Sequence, residues 1–514
     1  MTGFRFEFHA YHLLPKLSWV AELRRGGDVV HVLHGPWVET RDDRFFEGAW
    51  DGPFAEGAFD DAVSFLGSGG RLAGDRVVFA GPTHKMDRIQ SVEADGTLYF
   101  SNSLVLLLTR AGEDLDLAYP NYFFDYLNYF RKGMSIRVKP LPLRSGNRAL
   151  LHDYCNVTVS RDLAIERIER WVPPEPSCYR DYADFLEKTA QHVATNSADP
   201  ARIHCFEPVA AISRGYDSVA VAALASRAGC RRAVTFRHSG WRNIPDSGTE
   251  IAAALGMEVA EYNRIDYASL PGLPETEFYQ YAELSAKAQS IFEDRIRGSL
   301  FFNGQAGEDY WNTSRKTGLP LLQEPTALRM SGTNLTEYRL RAGIVVFPLA
   351  VCGAIHAPAI ARIGGLPEMG PWSIGGEYDR PIPRRIAEER GVPRHLFGQS
   401  KVGGGPQVGQ IGLCPASDAD FQKFYNEVVR GRVASGPHRA ERRQPRIDWM
   451  RPFRRMISTT PWMTRVFRGL LSDRLDPRWG TMALFTFHWG FYRVRERYEE
   501  ALRNRAPKTS IAAD

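Results

Sequence analysis

Over the first 170 residues, apolar and polar positions change places in short runs broken by Gly, Asp and Asn. The segments DRVVFAG (75–81), SVEADGTLYFSNSL (91–104) and LLHDYCNVTVS (150–160) alternate or concentrate β-branched and aromatic residues, which predicts strands. Asp95-Gly96 predicts a two-residue hairpin turn, because the favoured turn needs a positive φ at both positions. The glycines of GSGGRLAG (67–74) are read as further hairpin turns; no helix pattern follows them, so their spacing is not taken as a dinucleotide fingerprint. At WVPPEPSCYRDY (171–182) the pattern stops, since Pro173, Pro174 and Pro176 fix φ and remove backbone donors. That stiff joint is the expected domain boundary, giving units 1–170 and 171–514.

Beyond it the period lengthens. YADFLEKTAQHVATNS (182–197) has helical spacing, HCFEPVAAIS (204–213) is strand-like, and VAVAALASRAG (219–229) is a helix ending at Gly229. RAVTFRHS (232–239) predicts a strand, DSGTEIAAALGM (246–257) a helix behind cap residues, and VAEYN (259–263) another strand. Strands and helices in alternation imply right-handed crossovers and a parallel sheet covered on both faces. After about residue 270 the pattern is mainly helical.

Composition changes this picture little. The 514 residues are 43% hydrophobic and 24% charged, ordinary globular material too long for one core. A net charge of +5 is small for that length and suits an anionic substrate without calling for nucleic acid. Six cysteines are scattered with no C-x-x-C pair, and the first residues lack a basic start followed by an apolar run; reduced thiols in a cytoplasmic protein are expected. No apolar run approaches ~18 residues, so no membrane span is expected. Residues 430–470 hold eleven arginines against Glu441 and Asp448, with Trp449, Phe453, Trp462 and Phe467 among them. This stretch fits either a solvated basic surface or weak contact with an anionic membrane. The thirteen histidines show no H-x-x-x-H or H-E-x-x-H spacing, so no zinc site is suggested.

The chemistry concentrates in AAISRGYDSVAVAALA (210–225), where a strand passes into a helix through Ser213, Arg214, Gly215, Tyr216, Asp217 and Ser218. A loop at the carboxyl end of a parallel strand presents backbone N–H groups and the positive end of the helix dipole to an anion. Small residues let phosphate oxygens approach, serine hydroxyls donate to them, and an aspartate can hold the accompanying magnesium. The Walker A pattern is absent. Instead the loop resembles the pyrophosphate loop S-G-G-x-D-S of the ATP pyrophosphatase group. Ser213, Gly215, Asp217 and Ser218 match it, and Arg214 stands in place of its first glycine.

Three later segments follow in the order of the asparagine synthetase family, which the chain resembles over roughly residues 180–410. FFNGQAGEDYW (301–311) is similar to that family's G-D-G-x-D-E loop, with Gln305 and Ala306 replacing the aspartate and second glycine. NLTEYRLRAG (334–343) resembles its Glu-x-Arg segment through Glu337 and Arg339, for which a surface ion pair is the plain alternative. YDRPIPRRIAEERGVPRHLFGQSKVGGGP (378–406) resembles its closing R-x-K-x-G stretch, with Lys401 and Gly403 matching and Gln399 at a position usually basic. Phe236 and His238 fall where the resemblance places the adenine, a satisfied core or rim position being the plain alternative for His238. The front unit resembles, weakly, the family's amidotransferase domain, but position 2 is Thr2 and no cysteine precedes Cys155. Among relatives, β-lactam synthetases and lasso-peptide cyclases are similar in having lost that nucleophile.

The resemblance implies an α/β fold: an ATP pyrophosphatase-type synthetase domain (171–514) behind a degenerate, α+β N-terminal-nucleophile-hydrolase-like domain (1–170). It implies ATP and Mg2+ as ligands. Ser213, Arg214, Gly215, Asp217, Ser218, Gly304 and Gly307 would surround the nucleotide, and Asp217, Glu308 and Asp309 the metal. Lys401 and Glu337 would be catalytic, Lys401 by stabilising charge on the reacting phosphate. The activity implied is adenylation of a small-molecule or peptide carboxylate, with pyrophosphate released, then attack by ammonia or a substrate amine. A non-catalytic relative serving as a scaffold or binding protein is the alternative, supported by the departures at Arg214, Gln305, Ala306 and Gln399.

Overall fold

The computed structural model describes residues 3–84, 86–119, 122–127, 138–168, 170–239, 244–278, 288–311, 335–375, 378–399, 413–430 and 485–504. The fold is mixed α/β, with antiparallel and parallel sheets segregated along the chain. The front of the chain forms β1 (Arg5–Ala10), β2 (Trp19–Arg24), β3 (Val29–His34), β4 (Glu39–Arg41), β5 (Arg44–Trp50), β6 (Phe65–Ala73), β7 (Arg76–Ala80), β8 (Ile89–Ala94), β9 (Thr97–Ser101), β10 (Val138–Pro142), β11 (Arg148–His152), β12 (Asn156–Val159) and β13 (Ile165–Ile168). They make a seven-stranded sheet, β1-β3-β2-β9-β8-β11-β10, and a six-stranded one, β13-β12-β7-β6-β5-β4. Every pairing in them is antiparallel except β1 with β3.

Residues from both sheets, among them Trp19, Val32, Phe45, Phe79, Phe100 and Val157, share one buried cluster. Phe79 of one sheet stacks on Phe100 of the other at 4.2 Å between ring centroids. The Asp95-Gly96 turn forms as expected: Ala94 pairs with Thr97, and the two turn residues have φ of 48° and 70°. The glycines at 67–70 do not form turns. They lie inside β6, and a Cβ at Gly67 would stand 1.9 Å from the Glu47 carbonyl oxygen, so glycine is required there by the close approach of β5. Only Gly74, with φ of 64°, begins the β6–β7 turn.

Past the proline joint come α1 (Tyr179–Ser197), β14 (Glu207–Ile212), α2 (Tyr216–Arg227), β15 (Arg232–Phe236), α3 (Thr249–Ala254) and β16 (Glu258–Tyr262), all at their expected places. Two further strands, β17 (Ser299–Phe302) and β18 (Val345–Phe347), occupy the region expected to be mainly helical. Both are fully buried and lack the alternation that marks a half-exposed strand. The five strands are parallel in the order β16-β15-β14-β17-β18.

That order sets the position of the site. The chain moves outward from β14 through β15 to β16, then returns to the other side of β14 as β17. Residues of α2 and α3 join Ala210 and Ile212 in one apolar cluster. The return segment, through Phe292 and Ile296, joins Val209, Val234 and Phe301 in another, so opposite faces of the sheet are covered. The winding reverses between β14 and β17, and the loops that follow these two strands lie against each other.

Candidate functional site at the sheet switch point

The loop 213–218 leaves β14 at this reversal. Ser213 and Ser218 close it from within: their hydroxyls lie 2.8 Å apart, and Ser218 Oγ accepts from the Ser213 N–H at 3.1 Å. The Gly215 N–H donates to Ser213 Oγ at 3.2 Å. Gly215 then opens α2 with no side-chain cap, and the Tyr216 backbone at the first helical position hydrogen-bonds to the Tyr378 hydroxyl. Behind the loop, the Arg214 N–H donates to Asp246 Oδ1 at 3.1 Å, and Gly248 packs so closely that a Cβ would stand 2.4 Å from Ile212 Cγ2. Burial pushes the Asp246 carboxyl above its usual range, partly offset by that N–H and by the charges of Arg264 and Arg214.

The second loop leaves β17 and folds onto the first. A Cβ at Gly304 would stand 2.6 Å from the Ser218 nitrogen, and one at Gly307 would stand 2.6 Å from both Cβ and Cγ of Asp217. The two glycine positions singled out in the sequence are thus where the loops touch. The helix α4 (Gly307–Tyr310) starts here, with Glu308 half-buried on its first turn. Ala306 keeps a left-handed conformation with φ of 64°. Asn303 orients the turn: its N–H donates to the Phe347 carbonyl and its Oδ1 accepts from the Gln305 N–H, both at 3.2 Å.

A third segment reaches the same place. Ahead of it, α5 (Thr336–Ala342), α6 (Ala357–Gly364) and α7 (Pro381–Glu389) follow in chain order. Arg384 of α7 is buried and donates to the Tyr216 hydroxyl at 2.5 Å. The Gly398 N–H donates to the Arg214 carbonyl at 2.9 Å, and a Cβ on Gly398 would stand 2.3 Å from the Tyr216 ring. Tyr378 lies against Tyr216, ring centroids 4.9 Å apart. Burial, and then the charge of Asp217, raise its hydroxyl pKa. Gln399 turns away, its Nε2 donating to the carbonyls of Arg394 and Phe397. Asp246, Tyr378, Arg384 and Gly398 were not singled out from sequence as site residues. The acid of DSGTE and the Tyr-Asp-Arg-Pro start of the closing stretch were the available signals.

Ser213, Arg214, Gly215, Asp217, Ser218, Gly304, Gly307 and Glu308 therefore come together. The Asp309 side chain, Lys401 and Gly403 lie outside the described residues, as do Thr2 and residues 431–470. Glu337 is elsewhere: on α5 it is buried, accepting from the Ser103 hydroxyl at 2.7 Å and the Tyr498 hydroxyl at 2.8 Å. Arg339 does not pair with it at the surface but is buried against Glu47 and Asp87. Phe236 is buried beneath the Arg264 guanidinium, whose Nε donates to the His238 carbonyl at 3.2 Å. A cavity of about 190 Å3 opens beside the proline joint, lined by Pro173, Tyr182, Phe185 and His356, and none of the expected site residues lines it.

With protein-family models and with curated proteins, the chain has no match. What the site can do is carried by its geometry: a helix N-terminus and a hydroxyl pair offer hydrogen-bond donors to an anion, and a carboxylate beside them offers a ligand to a cation. Among the described residues no helix is long and apolar enough to cross a membrane. All six cysteines carry free thiols.

Proposed function

We propose that the chain is an ATP-dependent, amide-forming synthetase of the asparagine synthetase type. It adenylates a small-molecule or peptide carboxylate with release of pyrophosphate, and ammonia or an amine of the substrate displaces AMP. The observation that carries this reading is the contact of Gly304 and Gly307 with Asp217 and Ser218 at the reversal between β14 and β17. The residue chemistry fits the nucleotide and its cation: the Ser213 and Ser218 hydroxyls suit phosphate oxygens, and Asp217 stands beside the loop bearing Glu308. Magnesium, when bound, neutralises phosphate charge. The chain's own part is to orient oxygens with the Ser213 and Ser218 hydroxyls and the α2 N-terminus. Gly398 is tied to the loop, and Lys401 follows it in sequence, consistent with a lysine delivered to the reacting phosphate.

The stacked antiparallel sheets of the front unit support a degenerate amidotransferase-like domain. It contains no cysteine before Cys155, which is buried, so a glutamine-derived amine is not part of the proposal. Free thiols fit a cytoplasmic protein. No nucleic-acid partner is proposed, and residues 430–470 retain the reading of a weak membrane-surface contact.

The test is calorimetric titration of Mg-ATP into the full chain. Binding tighter than about 1 mM, equivalent to roughly −4 kcal/mol, that is lost in Asp217→Ala is the expected result. Product analysis then distinguishes the chemistry: AMP and pyrophosphate support it, ADP and phosphate exclude it. A second reading, a non-catalytic scaffold, is favoured by Arg214, whose guanidinium stands 4.0 Å from Glu250 at a position where the motif has glycine. Absence of Mg-ATP binding in the folded wild type would decide for it.

A further inference from the structure

We propose that Glu7, His9 and His31 form a binding site for a divalent transition-metal ion of the zinc class on the seven-stranded sheet. β1 is the edge strand of that sheet and pairs in parallel with β3. The register sets Glu7 directly opposite His31, and His9, two residues along β1, faces the same side as Glu7. His9 Nε2 lies 3.3 Å from His31 Nδ1 and 3.4 Å from Glu7 Oε1. Glu7 Oε2 lies 3.7 Å from His31 Nδ1, and one donor atom from each residue can be chosen with all three within 4.8 Å of one another. A tetrahedral ion with nitrogen and oxygen ligands at about 2.0–2.1 Å holds its donors roughly 3.3–3.4 Å apart. The three side chains already stand close to that spacing.

The chemistry selects the ion. Two imidazoles and one carboxylate favour zinc and its neighbours over magnesium or calcium, which take oxygen ligands. The site is therefore distinct in kind from the Asp217 loop. The side chains of Glu7, His9 and His31 are 45%, 22% and 39% exposed, so solvent reaches them and water can complete the coordination. Glu22, on the other side of His31 in β2, is committed to Arg110 at 2.7 Å, which leaves Glu7 as the carboxylate for the pair of histidines. An ion held here ties the edge strand, which has a single neighbour among the described residues, to β3.

Sequence spacing does not reveal this cluster, because Glu7-x-His9 has the period of a strand and the third donor arrives by strand pairing. The test is titration of ZnCl2 into the EDTA-stripped full chain with excess MgCl2 present. One equivalent of zinc is expected. Glu7→Gln and His9→Gln, on an exposed sheet face, should each weaken it on the order of tenfold or more, the loss that even an outer-shell partner produces. No saturable binding, or binding unchanged in variants with wild-type circular dichroism, overturns the proposal. Zinc K-edge absorption of the wild-type complex reads the ligands independently of any variant: a nitrogen and oxygen shell with imidazole scattering supports the site, and a sulfur shell overturns it.

Discussion

At Gly307 the space for a single methyl group is already occupied by Asp217. Gly307→Ala must displace that carboxylate or the loop, and it is expected to abolish Mg-ATP binding in calorimetry while the circular dichroism of the chain stays unchanged. Its neighbour gives the opposite case. Ala306 holds a left-handed φ of 64°, a conformation that costs a residue with a Cβ about 1 kcal/mol. Ala306→Gly is expected to raise the denaturant midpoint by a corresponding amount without harming nucleotide binding. Glu337 carries a pH signature: burial pushes its carboxyl up to about 7 from 4.5, with the Ser103 and Tyr498 hydroxyls pulling the other way. A carboxyl with a raised folded pKa binds more protons in the folded state. Its contribution to stability is present below the unfolded value and is lost as pH rises through about 7. Glu337→Gln should flatten that decline, worth on the order of 3 kcal/mol between pH 4.5 and 8, as read from urea unfolding at stepped pH. The residue types at the loop were legible from their order in the chain. The partners of Glu337 were not, because Ser103 and Tyr498 are remote in sequence and adjacent only after folding.

At the scale of elements, α2 carries the loop and α7 holds α2 in place. Residues Val219 to Ala225 of α2 are completely buried, and their small side chains allow close helix packing. The polar link is the bond from Arg384 to the Tyr216 hydroxyl, with the guanidinium 5.0 Å from the Tyr216 ring centre. Tyr216→Phe removes the acceptor while keeping the ring, and should cost roughly 1.5–3 kcal/mol in urea unfolding and weaken Mg-ATP binding by shifting the loop start. The helices and the strands β14, β15 and β16 were readable because their hydrophobic periods are unmixed. β17 and β18 were not, since buried runs of four and three residues carry no period. The glycines of β6 misled for a related reason: a glycine reports that something lies close or that φ is unusual, and composition does not say which.

For the whole molecule, a buried charge network ties α5 to the antiparallel sheets of the first 170 residues. Arg339 donates from Nε to Asp87 at 2.6 Å and from Nη1 to Glu47 at 3.0 Å, and all three are buried. Burial disfavours its charge, but Asp87 and Glu47 outweigh it and keep the guanidinium protonated. Arg339→Met would leave two carboxylates buried without their cation. A loss of about 3–5 kcal/mol is expected, seen as a lowered midpoint in calorimetric unfolding, and Arg339→Lys should rescue it poorly because lysine lacks the fork. Trp37 also stacks on His204, just ahead of β14, at 3.8 Å. Apolar clusters continue across, with Ala49 and Leu66 joining the helices of the rear. The sequence by itself determined the alternation of helices and strands from α1 to β16, the turn at Asp95-Gly96 and the residue types of the loop after β14, because each depends on neighbours a few residues apart. Only the tertiary structure decided that the loops of β14 and β17 meet, that Glu337 bonds to Ser103 and Tyr498 and Arg339 to Glu47 and Asp87, and that His31 stands beside Glu7. Those relations arise from strand order and register, which are set by how whole faces bury against one another.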